Sequence, residues 1–260
     1  MLLEVSDSTI PPPRFLPLVG PLNFRDLGGY LTESGRRIRW RTLFRADGLQ
    51  YVTPADVDTL RPYALRTVID LRSKGEIEAR GQFPIEAYPL ALHHLAVIDQ
   101  TWDLEDSALR ELDDIEFIRS RYAIMLDEGS RQFADAFRHL AAPDALPAVF
   151  HCAAGKDRTG LLAALLLGSV GVGHDDIVND YALTALVTRQ LFERVAARSP
   201  EMAERLRHAP KALFSADPAA MRATLADVDR IHGSISNYLR HIGVEPNTIT
   251  RLQETLLMPT

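Results

Sequence analysis

The stretch Val149–Leu167, VFHCAAGKDRTGLLAALLL, changes character twice. Ala148–His151 (AVFH) is a compact apolar run bracketed upstream by Pro143 and Pro147, and reads as a buried strand. From Thr159 the chain is apolar up to a glycine-rich stop at Gly168, Gly171 and Gly173, the pattern of a core helix. Five residues separate Cys152 from Arg158 between the two. A strand that runs through a short glycine-containing turn into a helix leaves backbone N–H groups converging on one hollow. The helix dipole adds its positive end, so the hollow suits an anion. Arg158, in the first turn, supplies a planar fork able to hold two phosphate oxygens.

A thiol lies at the base of that hollow. The helix N-terminus, Lys156 and Arg158 all favour a thiolate over a thiol there. The same charges stabilise the equatorial oxygens of a phosphoryl group in transfer. A nucleophile and an oxyanion cradle in one loop imply phosphoryl transfer through a phosphocysteine. Cys152 is the candidate nucleophile, and Ala153, Ala154, Gly155, Lys156, Asp157 and Arg158 are the candidate substrate cradle. The loop provides all the positive charge, so no metal or organic cofactor is implied.

Upstream, β-rich runs at Thr42–Arg45 and Arg66–Leu71 predict strands, with a third around Tyr88–Val97. Thr53-Pro54 is a helix start, and Ile115, Ile118, Tyr122 and Met125 recur at helical spacing from Asp113. A further helix is expected over Arg131–Ala142. Strands mixed with helices, then helices alone, predict an α/β fold with a central, mostly parallel sheet flanked by helices and a helix-rich C-terminal half. Residues 1–22, with Pro11-Pro12-Pro13, read as an extended arm and 23–260 as one domain. Residues 174–213 are a candidate helical lid.

The composition narrows the partners. The chain has 260 residues, 29 Lys+Arg against 35 Asp+Glu (net charge −6), 46% hydrophobic residues and one cysteine. Global disorder and an internal disulfide are excluded. The mild acidity argues against general nucleic-acid binding, which needs a basic field. Gly160–Gly173, the longest apolar stretch, is too short for a span of roughly 20 residues. MLLEVSDSTIPPPRF does not read as a secretion signal. The expected location is the cytoplasm, with export by a route lacking a cleaved signal left open. Oligomeric state is not readable from the chain.

HC-x5-R followed by Thr159 resembles the signature of cysteine-dependent protein tyrosine phosphatases. The fuller string HCAAGKDRTG, with NFRDLGGY at Asn23–Tyr30, VIDLRS at Val68–Ser73 and GSISNYL at Gly233–Leu239, is similar to the bacterial and fungal group with lipid-phosphatase-like character. The resemblance implies that Cys152 attacks, Arg158 binds phosphate, the Thr159 hydroxyl steadies the thiolate, and His151 orients the loop from behind. It implies a phosphotyrosine protein or peptide as substrate, with phosphoserine/threonine or phosphoinositides as further substrate classes. Lys156 matches the second loop lysine of phosphoinositide phosphatases, but Ala153 replaces the first, which weakens that specificity.

The general acid has several candidates. No Trp-Pro-Asp occurs, and Trp102-Asp103 lacks the proline. Asp157 is favoured because the resembled group carries an acid at that loop position. Asp70 is the rival, with pairing to Arg72 or Arg25 as its plain role. Arg25, Arg45 and Arg72 could flank the pocket; the plain expectation for each is a solvated charge paired with a local carboxylate. His151 could equally be a satisfied core histidine; zinc ligation is disfavoured by the single cysteine. The competing functions are a non-catalytic phosphate-recognition module and a sulfur transferase or arsenate reductase. The first would need a disabled site, and the reductase usually needs resolving cysteines.

Overall fold

The computed structural model describes residues 13–98, 113–201, 204 and 211–259. The short segments β1 (Arg25–Asp26), β2 (Leu43–Ala46), β3 (Thr67–Asp70), β4 (Ala91–His94) and β5 (Ala148–His151) make one sheet, ordered β1-β2-β5-β3-β4. β1 is antiparallel to β2; the other neighbours are parallel. β2, β3 and β5 are buried along their whole length. Leu43, Ile69, Ala148 and Phe150 feed one apolar cluster, while Phe44, Ala46, Val68 and Val149 feed the cluster on the opposite face. Strands covered on both faces lose the apolar–polar alternation, which is why AVFH and TVID read as continuous runs.

The helices are α1 (Pro54–Leu60), α2 (Lys74–Arg80), α3 (Asp114–Glu128), α4 (Ser130–Leu140), α5 (Asp157–Ser169), α6 (His174–Ala182), α7 (Thr188–Arg198), α8 (Pro218–His232), α9 (Ile235–His241) and α10 (Pro246–Leu256). Thr53 caps α1 and Pro54 occupies its first turn, as expected. In α5 every residue but Asp157 and Gly168 is buried. A helix enclosed on all sides needs no polar stripe, so its sequence shows none. Gly168 permits the close approach of α9, because a Cβ there would lie 2.3 Å from Ile235 Cδ1.

Several boundaries differ from the sequence expectation. The strand expected around Tyr88–Val97 contracts to β4, an edge strand with exposed ends. β1 lies inside NFRDLGGY, where no strand was anticipated, because it is only two residues long. His93 and His94 both sit within β4: His93 stacks on His139 at 3.7 Å, and His94 Nε2 meets Arg72 O at 2.7 Å. The described part of the N-terminal arm lies along β1, with Leu16 N donating to Phe24 O. Residues 1–12 of that arm, and Trp102-Asp103, fall outside the described residues. No helix among the described residues is long and apolar enough to cross a membrane.

Candidate active site

β5 is central, and its carboxyl end delivers Cys152. Ala46 and Asp70 flank His151 in register, so Asp47–Gly48 and Leu71–Arg72 leave the sheet on either side of the thiol. Crevices at the carboxyl ends of parallel strands are the ligand sites of open α/β sheets. The thiol is free and 2% exposed.

The loop is polarised by its surroundings. His151 Nδ1 meets Cys152 O at 3.2 Å, and Gly48 N donates to Ala153 O. Asn23 Nδ2 donates to Ala154 O and Gly155 O, and Arg45 Nη2 donates to Gly155 O at 2.7 Å. The carbonyls are thus all drawn outward. Among the described residues, the amides of 153–158 make no hydrogen bond to another part of the chain. With the orphan first-turn amides of α5, they form a hollow lined by donors. Gly155 is required at its position: φ is +67°, and a Cβ would lie 2.5 Å from Ala46 O.

Arg158 is held by Glu76 of α2, which accepts from Nη1 and Nη2 through its two carboxylate oxygens. Burial opposes the Arg158 charge, but Glu76 and Cys152 outweigh it and raise the guanidinium above its ordinary range. Glu76 also closes a capping box with Ser73, and the S-x-x-E spacing of Ser73–Glu76 is the signal that could have revealed it. Next in sequence, Thr159 Oγ1 is buried with no hydrogen-bond partner among the described residues.

Asp70 takes the plain role. Its carboxylate grips Arg72 Nε and Nη2, and His151 Nε2 stands 3.5 Å away. Burial works against ionisation, but His151 and Arg72 together hold Asp70 below the ordinary carboxylate range. Burial pushes His151 down to about 4, so at neutral pH Arg72 is the charge that acts on Asp70. A carboxylate locked in its ionised form is unsuited to donate a proton.

The expectation of solvated arginines is corrected. Arg25, Arg45 and Arg72 are among the largest fully buried side chains. Arg25 Nε and Arg45 Nη1 converge on the Asp180 carboxylate of α6, at 3.2 and 2.6 Å. Arg25 also donates to Asn23 Oδ1, so it supports the loop through Asn23. An arginine alternating with apolar residues along a strand ordinarily marks a solvent face. Here α5 and α6 cover that face.

Lys156 also departs from expectation. Its ammonium, expected in the substrate cradle, donates to Ala212 O, Leu213 O and Ser215 O at 2.9–3.1 Å. An ammonium has three donors. All three are committed to the C-terminal edge of the candidate lid and the residues just after it. α7 is tied down separately: Arg194 pairs with Asp47 at 3.0 Å and lies over the Tyr51 ring. Burial pushes Asp47 up to about 6, against the amide of Asn23 and the charge of Arg194. A raised carboxylate pKa means the folded chain takes up this proton more readily than the unfolded chain, so acidification does not cost global stability through this group. It does weaken the tether. Amide exchange within 188–198, corrected for intrinsic rates, is expected to quicken relative to the core as pH falls from 7 through about 6. Arg194→Met should remove that pH dependence, and an unchanged relative rate in the parent protein would contradict it.

Asp157 opens α5 with Oδ1 accepting from Tyr122 Oη of α3 at 2.8 Å; Tyr122 Oη also meets Tyr181 Oη of α6 at 2.8 Å. Lys156 Nζ stands 3.4 Å from the same Oδ1. The sequence reading used Tyr122 only as a core position and did not single out Asn23, Glu76, Asp180 or Tyr181. They reach the site from three helices and the segment before β1, which no local pattern connects.

A thiol on the floor of a donor-lined loop, beside a guanidinium fixed from behind, defines an α/β protein built to handle phosphate. The tyrosine phosphatase family is matched over residues 16–258; the chain belongs to that family and is a phosphatase. Triple specificity protein phosphatase PtpB of Mycobacterium tuberculosis is 30% identical over 279 residues, covering 92% of this chain and 98% of that protein. A tyrosine-protein phosphatase of Nostoc commune is 28% identical over 228 residues, covering 82% and 73% respectively. Among solved structures, TpbA of P. aeruginosa is 16% identical with a TM-score of 0.31, covering 87% of this chain and 94% of that one.

Proposed function

We propose that the protein hydrolyses phosphate monoesters, phosphotyrosine in proteins foremost, in two steps through a phosphocysteine. Cys152 Sγ attacks phosphorus as the bond to the ester oxygen breaks, and Asp157 gives its proton to that oxygen. Water then attacks phosphorus, the S–P bond breaks, Asp157 recovers a proton from the water, and inorganic phosphate leaves. The Thr159 hydroxyl, buried without a partner among the described residues, is suited to donate to the departing sulfur. Arg158 gives two of its five N–H donors to Glu76 and a third, on Nη1, to Leu71 O at 3.5 Å, which leaves Nε and one Nη2 hydrogen for phosphate. The observation that carries this reading is the polarised loop, with carbonyls drawn out around the Cys152 thiol and amides left to an anion.

The ranking of substrates rests on Lys156. A loop lysine is the feature that the sequence resemblance ties to phosphoinositides, and here its donors are spent on backbone carbonyls. The name of the M. tuberculosis relative, triple specificity protein phosphatase, supports testing all three classes. A panel of a phosphotyrosine peptide, a phosphoserine peptide and monophosphorylated inositides, assayed without added metal, is expected to give the highest kcat/KM on phosphotyrosine. Faster turnover of inositides would overturn the ranking. The lone thiol, unpaired by any disulfide within the chain, suits a reducing compartment such as the cytoplasm.

A further inference from the structure

We propose that Tyr122 is a positioning residue for the proton donor: its hydroxyl occupies Asp157 Oδ1 and leaves Oδ2 to carry and deliver the proton, an inference that rests on the two-step reading above. Tyr122 sits on α3, fully buried, and its hydroxyl is the one polar atom of its side chain. Burying a hydroxyl is costly unless it is bonded. This one is bonded twice, to Asp157 Oδ1 and to Tyr181 Oη.

The direction of the chain follows from proton counting. A phenol has one proton, and Asp157 Oδ1 accepts both in the carboxylate and in the acid protonated on Oδ2. Tyr122 therefore donates to Asp157, and Tyr181 donates to Tyr122. Burial first, then the charge of Asp157, raises both phenols well above their ordinary range, so both remain donors wherever the enzyme works. The other charges that face this cluster are Lys156 at 3.4 Å from Oδ1, Arg158 beside Asp157, and Arg45 and Asp217 near Tyr181. The close contacts to the carboxylate, from Tyr122 and Lys156, both fall on Oδ1. Among the described residues no hydrogen bond reaches Oδ2. A carboxyl group held by one oxygen presents its other oxygen in a fixed direction, as general acid catalysis demands.

The alternative is a hydroxyl that merely satisfies itself in the core. The two differ in how rate depends on the leaving group. A proton donor matters for esters of weakly acidic phenols and little for activated ones, whereas a structural defect slows both alike. kcat/KM should be compared on phenyl phosphate and dinitrophenyl phosphate. Asp157→Asn is expected to lose about 100-fold or more on the first and less than about 3-fold on the second. Tyr122→Phe should show the same bias at smaller amplitude, about 10-fold on phenyl phosphate and little on the activated ester. Tyr181→Phe keeps the Tyr122–Asp157 bond and should show no such bias. Inhibition by inorganic phosphate, unchanged in Tyr122→Phe, would show the cradle intact. Equal losses on both esters, or none, in Tyr122→Phe overturn the proposal, as does an equal bias in Tyr181→Phe. If Asp157→Asn itself shows no bias, the proton-donor reading fails and takes this assignment with it. The first pair of outcomes leaves that reading standing.

Discussion

Cys152→Ser is expected to remove turnover of para-nitrophenyl phosphate by at least about 10⁴-fold while leaving inorganic phosphate bound. The two consequences separate because the thiol and the cradle are distinct parts of one loop. In the proposed mechanism binding depends on the amides of 153–158 and on Arg158, whose guanidinium is fixed by Glu76 independently of residue 152. Attack depends on a sulfur anion, and a serine hydroxyl in the same place is a far weaker nucleophile. Single-turnover assays with isothermal titration of phosphate on the same preparation would measure both. Residual turnover within about 10-fold of the parent would remove Cys152 from the mechanism. Loss of phosphate binding together with turnover would instead mean that the substitution collapses the loop.

The second large effect concerns stability. Asp180→Ala is expected to cost about 3–5 kcal/mol, because it strands two buried guanidiniums without their shared counter-charge. Against a total of about 5–15 kcal/mol for a typical domain, the loss is large enough to read directly from urea unfolding. Burial disfavours the Asp180 charge, but Arg25 and Arg45 prevail and pull its pKa down to about 2. Burial and the neighbouring Arg45 push Arg25 down to about 10, against the pull of Asp180, so Arg25 depends on the carboxylate to hold its charge. The sign of the pH effect follows. A depressed carboxylate pKa stabilises the fold above the unfolded value of 3.8, and that contribution is lost as pH falls through about 2. The parent and the variant should therefore differ most at neutral pH and converge in strong acid. Activity should fall as well, since Arg45 holds Gly155 O and Arg25 holds Asn23 against the loop. A stability change below about 1 kcal/mol would show that the buried cluster tolerates an unpaired arginine pair, against expectation.

The geometry also explains how far local reading could go. Thr53-Pro54 announces α1 because a cap and a first-turn proline act within one turn of backbone. Ser73–Glu76 makes the same kind of signal, and Glu76 could have been found from it. Its pairing with Arg158, 82 residues away, could not. Asp70 shows the limit from the other side. As a sequence position it competes with Asp157 for the role of acid. Only the closeness of Arg72 and its burial together assign it to an ion pair.

Composition and spacing alone established an α/β chain, a strand–loop–helix at its centre, and a thiol and a guanidinium with five residues between them in that loop. These are near-neighbour properties, set by hydrogen bonding and apolar periodicity over a few turns of chain. Tertiary structure decided everything that depends on what covers a surface. It buried Arg25 and Arg45 beneath α6, turned Lys156 from the cradle to the 212–215 carbonyls, and brought Tyr122 to Asp157. Whether a charge is solvated, paired or aimed at a substrate depends on desolvation by elements far apart in the chain, and no single segment carries that information.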